Sequence, residues 1–228
     1  MDERILGIVE KALKDILEKG LPNTLLLTAV SFAIALVIAT LVALVQHARV
    51  PVLTELSRSY IWLIRGTPLL VQLLVVYYAL PALGIVIDAI PAAIIAFSIN
   101  EGAYCSETMR AALESVPAGQ TEAGLCVGMS YPMVMLRIVI PQALRTAVPN
   151  LFNSLISMVK DTSLVSNITV VDMYMITKRH VGRTYEFLTL YVLLALLYLV
   201  ISTLMTMLQR GAERILNRNV GREVKQRA

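Results

Sequence analysis

Apolar residues in this chain arrive in long blocks rather than alternating with polar ones, and the blocks have the length of helices surrounded by non-polar matter. A hydrocarbon layer about 30 Å thick is crossed by about 20 largely apolar helical residues. Five stretches meet that requirement: 21–46, 60–80, 87–109, 148–171 and 188–208. The first carries no charge before His47, and the last is uninterrupted. The second carries Arg65 near one end, the third carries acids, and the fourth carries Lys160 and Asp161. The pattern predicts an all-α integral membrane protein with five spanning helices and its termini on opposite sides. Ahead of the first span, Ile5, Leu6, Val9, Leu13, Ile16 and Leu17 recur at helical spacing among charges. Residues 1–20 therefore read as an amphipathic helix, lying along the membrane interface or packed on the bundle. This start lacks the short apolar core and basic flank of a signal peptide.

Composition agrees. The 228 residues are 57% hydrophobic and 16% charged, with a mean hydropathy of +0.71, whereas soluble domains are about 45–50% apolar and roughly 25% charged. Lys and Arg near the span ends set the orientation. Arg49, Arg58 and Arg65, then Arg110, Arg137 and Arg145, then the basic tail 209–228 all fall on one side, which is expected to be the cytoplasm. The tail supplies Arg210, Arg214, Arg218, Arg222, Lys225 and Arg227. Lys178, Arg179 and Arg183 oppose this, but the count still favours an outside N-terminus and a cytoplasmic C-terminus by twelve against seven. Cys105 and Cys126 have no partners at metal spacing and read as inert thiols.

The stretch 114–144 is too rich in helix signals for an unstructured connection. Residues 120–127 read as a short helix carrying Glu122 and the small residues Ala123 and Gly124, ended by Gly128. Ser130 is placed to cap a second short helix with Pro132 in its first turn, and Pro141 is expected to close that helix. A pair of short helices with a small-residue face suits docking in another protein's groove.

These residues resemble the cytoplasmic signature of the permeases of ABC importers: Glu-Ala-Ala, three residues, Gly, nine residues, then Ile, one residue, Leu-Pro. Here the run is Glu122-Ala123-Gly124, Gly128 four positions on, and Ile138-Val139-Ile140-Pro141, with Gly for the second Ala and Ile for Leu. The resemblance implies a type I ABC permease fold over 21–208. It also implies that Glu122, Ala123, Gly124 and Gly128 belong to a coupling helix seated on an ATPase subunit. Arg65-Gly66-Thr67-Pro68-Leu69, Ala103-Tyr104 with Glu107, and Lys160-Asp161-Thr162-Ser163-Leu164 resemble the polar amino-acid permeases, and several blocks look most like the L-cystine permeases. Glutamine and basic amino-acid permeases are close alternatives. The implied partners are a pair of cytoplasmic ATPase subunits, an extracytoplasmic amino-acid-binding protein and a second permease copy or related chain, in a bacterial cytoplasmic membrane. No nucleic acid or cofactor is implied.

Charged groups near the bilayer centre normally face a bundle interior. Asn100, Tyr104, Glu107 and Ala111 share one helical face in the third span. Asn150, Asn153, Ser154, Ser157, Lys160 and Asp161 do so in the fourth. An amino acid offers an ammonium and a carboxylate. Glu107 and Asp161 are thus candidates for the first, and Lys160, Thr162 and Ser163 for the second, with Asn100, Tyr104 and Ser157 lining the path. Each has a plainer reading. Lys160 and Asp161 point about 100° apart and pair with other spans or snorkel, while Glu107 is placed to pair with Arg110. No G-x-x-x-x-G-K-[ST] loop is present, so ATP hydrolysis falls to another chain. An ion-coupled carrier predicts internal repeats and Gly-interrupted helices, and a mere membrane anchor has no need of polar stripes.

Overall fold

A computed structural model describes residues 3–48 and 50–217, and among these there is no strand. The helices in chain order are α1 (Glu3–Asp15), α2 (Leu21–Ala48), α3 (Pro51–Arg65), α4 (Leu69–Leu74), α5 (Ala89–Glu114), α6 (Ala118–Cys126), α7 (Tyr131–Val134), α8 (Ile140–Asp161), α9 (Met173–Thr184) and α10 (Phe187–Asn217). By length and apolar composition alone, two helices qualify as spans, Glu3–Ala48 and Phe187–Leu216, with Pro51–Arg65 plus Leu69–Leu83 as a bent third. Helices α5 and α8 fall short of that test because they carry the polar residues of the interior. Of the tail 209–228, residues 218–228 lie outside the described region, as do Asp2 and Arg49.

The bundle is organised on α2 and α5. Ala35, Ala39 and Ala43 recur every fourth residue along α2, while Ala92, Ala93, Ala96 and Ala103 are buried on α5. Small side chains let helix backbones approach closely, which is what holds helices together where lipid removes the hydrophobic drive. Helix α8 packs against both, with Ala143, Ala147 and Leu151 in one cluster with Ala39 of α2 and Cys105 and Ala112 of α5.

Two expectations are corrected here. The stretch 60–80 is not one straight span. The chain breaks at 66–68 and turns by 100° between Pro51–Arg65 and Leu69–Leu83. Thr67 precedes Pro68, and the residue before a proline is driven out of the helical region. Next, Pro141 does not close the second cytoplasmic helix. A wide π turn, Met135–Val139, carries α7 into α8, and the Ile140 amide donates to the Met135 carbonyl five residues back. Pro141 then falls in the first turn of α8, where its missing amide costs nothing. Residues 3–20 follow the second of the two readings given for the N-terminal segment, packing on the bundle. Helix α1 continues through a π turn, Ile16–Gly20, into α2. Its apolar face meets protein: Ala12 packs with Val181 and Leu190, and Ile16 with Met173, Ile176 and Leu194. Asp15 accepts from Lys19 at 2.6 Å and lies 2.9 Å from His180 Nε2 on α9.

Asp172 starts α9, accepting from the Met175 and Tyr174 amides at 2.8 and 3.1 Å while only 1% exposed. Burial pushes its carboxyl up from 3.8 to about 6 against the pull of those amides. A raised carboxyl pKa favours the protonated fold, so this contribution is complete below 3.8 and is lost as pH rises through about 6. Asp172→Asn keeps an acceptor for the cap and removes the charge. The melting temperature of the variant is expected to lose the wild-type decline between pH 4 and 6, as read by a thermal-shift titration in detergent.

Candidate functional site

A polar cavity of about 550 Å³ opens between the bend at 66–68, the middle of α5 and the second half of α8. Four of the expected residues meet there: Asn100 and Tyr104 from α5, Ser157 and Asp161 from α8. The fold supports them individually. Asn100 is buried and donates to Gln72 Oε1 at 3.0 Å. The Gln72 amide in turn donates to the carbonyls of Ile64 and Thr67, at 2.8 and 3.1 Å, which the break in the helix has left without helical partners. The bend and the cavity wall are therefore one hydrogen-bonded unit. The Arg65 guanidinium lies 5.2 Å from the centre of the Tyr104 ring, a cation–π contact that fixes the ring from behind.

Four expected residues are not part of the lining. Glu107 faces a different cavity and is held by Arg110 through two bonds of 3.1 Å and by Arg65 at 3.7 Å. Its charge is matched within the protein, which is the arrangement the pairing reading expects. Lys160 is exposed, one residue and about 100° away from Asp161. Thr162 is fully buried and donates to the Val159 carbonyl at 2.6 Å. Ser163 is half-buried in the 3₁₀ stretch Thr162–Ile168, where its carbonyl accepts from Ser166. The helix tightens after Asp161, which turns both hydroxyls away from the stripe.

The principal residue missed in the sequence is Glu101, 9% exposed and lining the cavity with Asp161. Its signal is the series Glu101, Tyr104, Thr108, which is also a helical face and lies one position round from the expected one. Thr67 and Pro68 do two things: they make the bend and line the cavity. Two carboxylates and a set of neutral amides and hydroxyls thus surround a space whose lining, among the described residues, includes no Lys or Arg.

The coupling stretch folds as α6, a turn at Gly128 and α7. Gly128 adopts φ +85, a left-handed conformation that favours glycine. Ser130 occupies the N-cap position, but its hydroxyl makes no capping bond. Glu122 and Ala123 are exposed, whereas Gly124 is buried inside the hairpin. A Cβ there would stand 2.8 Å from Val134 Cγ2 and 3.1 Å from Ile138 Cδ1. The small residue therefore lets α6 close on α7, and does not serve as an outward face. What faces outward is apolar: Leu125, Val127, Met133 and Leu136 are 41–77% exposed. Tyr131 ties this hairpin to the end of α2 by a 3.1 Å bond to His47 Nε2.

The sequence family of binding-protein-dependent transport system inner membrane components matches residues 35–218. The L-cystine transport system permease protein TcyB of Bacillus subtilis is 39% identical over 216 residues, covering 94% of this chain and 92% of that protein. The arginine transport system permease protein ArtQ of the same organism is 33% identical, covering 88% of this chain and 92% of the other. Among solved structures, an amino acid ABC transporter with histidines superposes with a TM-score of 0.86 at 33% identity, covering 94% of this chain and 99% of that one. The MetNI methionine ABC transporter, at 19% identity and a TM-score of 0.74, shares the fold. A bent, polar-lined helical bundle with an exposed apolar hairpin is thus the type I permease architecture: a transport component whose ATP is hydrolysed by a separate subunit. The chain belongs to the binding-protein-dependent transport system inner membrane components, as a polar amino-acid ABC permease subunit of the inner membrane.

Proposed function

We propose that this permease takes up L-cystine by alternating access, receiving it from an extracytoplasmic binding protein. A second copy completes the pathway, and the chain lies with its N-terminus outside and C-terminus in the cytoplasm. The observation that carries the substrate is the pair Glu101 and Asp161 in a cavity whose lining has no cation among the described residues. Cystine has two α-ammonium groups, one for each carboxylate. Its own carboxylates are met by neutral donors such as Asn100, Asn153, Ser154 and Tyr104. Similarity to two L-cystine permeases of Bacillus subtilis supports the same reading. The coupling role of Glu122, Ala123, Gly124 and Gly128 is supported by their place on or beside the exposed apolar hairpin. Glu122 and Ala123 offer contact, while Gly124 and Gly128 set its shape.

The same two carboxylates favour a basic amino acid as the second reading, since such a substrate also carries two cationic groups. Proteoliposomes containing this chain, its ATPase and its binding protein decide between them. Cystine, arginine and glutamine are compared for stimulation of ATP hydrolysis and for uptake. Stimulation and uptake with cystine alone support the proposal. Arginine alone moves the assignment to the second reading, and glutamine alone removes the need for both acids.

A further inference from the structure

A second cavity, of about 750 Å³, lies where the end of α2, the length of α3 and the last turns of α5 meet. It lies apart from the cavity above: Arg65, over the Tyr104 ring on one side and paired with Glu107 on the other, belongs to the partition. Its charges are of both signs. Arg58 pairs with Glu55 at 2.6 Å, and Arg110 with Glu107 and Glu114 at 3.1 and 2.7 Å. With Arg65 behind Glu107, guanidiniums and carboxylates among the described residues here are equal in number. A lone anion or cation entering here leaves a charge unmatched, and a neutral zwitterion does not.

Two wall atoms also await partners. Thr54 is 9% exposed and its hydroxyl has none among the described residues, and the same holds for Gln46 Oε1. An amide oxygen only accepts, so the partner it lacks is an N–H or O–H donor. The Arg58–Glu55 pair, about two-thirds exposed on both sides, opens at little cost and frees a guanidinium for an anionic group and, in the same wall, the Glu55 carboxylate for a cationic one. Val52, Leu56 and Leu63 share one outward face of α3, and Trp62 stands at the cavity rim, 77% exposed. That combination of an apolar helix face and a tryptophan belongs at a bilayer boundary.

We propose that this cavity binds a small zwitterion, a primary ammonium beside an anionic group, with Gln46 and Thr54 taking the ammonium and Arg58 the anion. Two sources carry that chemistry: the headgroup of phosphatidylethanolamine and a free α-amino acid. The site is independent of the transport reading, because its occupancy is measured without ATP or a binding protein.

Trp62 is the only tryptophan in the chain, so all tryptophan emission comes from the rim of this cavity, and the choline and glycerol lipids control for its detergent surroundings. The full chain in detergent is titrated with dihexanoyl phosphatidylethanolamine, with the choline and glycerol analogues of that lipid, and with L-glutamine. A saturable shift with the ethanolamine lipid alone identifies a lipid headgroup site. A shift with glutamine alone identifies an amino-acid site, and both together establish the zwitterion chemistry for either source. Arg58→Gln and Gln46→Leu are each expected to weaken the response about tenfold, the scale of one charge-assisted hydrogen bond. Arg58 is exposed, so its variant folds as the parent does. The proposal is overturned by a choline or glycerol lipid that matches the ethanolamine lipid, by the absence of any saturable shift, or by an undiminished response in both variants.

Discussion

Uptake of L-cystine by the Glu101→Gln variant is expected to fall about 30-fold or more. Removing one member of a desolvated charge pair costs about 2–5 kcal/mol, and about 1.4 kcal/mol is a factor of ten. Glu101 is buried within α5 and lines the cavity beside Asp161. A glutamine of nearly the same size leaves an amide where an ammonium ion needs a carboxylate. Packing is retained, and the 3.5 Å contact with the Cys105 thiol still has an oxygen to meet it. The loss should therefore appear in transport and in substrate-stimulated ATP hydrolysis, while basal hydrolysis and the melting temperature stay close to the parent. Asp161→Asn is expected to behave alike, and the double variant to lose little more than either single one if both acids hold one molecule. Uptake within threefold of the parent in both single variants would remove the two carboxylates from substrate recognition.

Gly124→Val should separate ATP hydrolysis from transport. The first atom of any side chain at this position would lie 2.8 Å from Val134, which is fully buried and β-branched and so has no other place for its methyl group. Overpacking of this kind costs about 1–3 kcal/mol and is relieved by backbone movement. Helix α6 is short and exposed, so it is the element that moves, and the apolar surface of Leu125, Val127 and Leu136 moves with it. Stimulation of ATP hydrolysis by substrate is expected to fall at least about tenfold, with the protein still inserted and substrate still bound. Full stimulation in this variant would show that the packing of the hairpin is immaterial to coupling.

Run length made the helices legible. A block of apolar residues needs a helix in lipid, whatever its details, because every backbone group must be satisfied internally. The bend at 66–68 was not, since apolar residues continue on both sides of it and hydropathy carries no direction. Thr67-Pro68 marked the place but not the 100° turn. The Pro141 error has a related cause: a proline stops a helix only when its amide was needed, and a π turn just before it shifts the register so that it is not. In the site, the stripe on α8 was legible because Asn150, Asn153, Ser154 and Ser157 leave few other faces. On α5, two acids six residues apart offered two overlapping faces. The sequence reading took the one containing Glu107, and only the position of Arg110 and Arg65 shows that this acid is already paired. Gly124 taught the converse lesson. A small residue permits close approach without saying by what, and here the neighbour is the protein's own α7.

The contact of α1 with α9 and α10 has a consequence for biosynthesis. Asp15 meets His180 across 165 residues of sequence, and a ribosome adding about 5–20 residues per second needs roughly 8–30 s to make them. During that delay the apolar face of α1 has no protein to cover it. Such a segment is expected to rest on the bilayer surface until its partners emerge, and then to exchange lipid for Val181, Leu190 and Leu194. The N-terminal segment is thus expected to have two successive resting places, with the synthesis of α10 releasing it from the first.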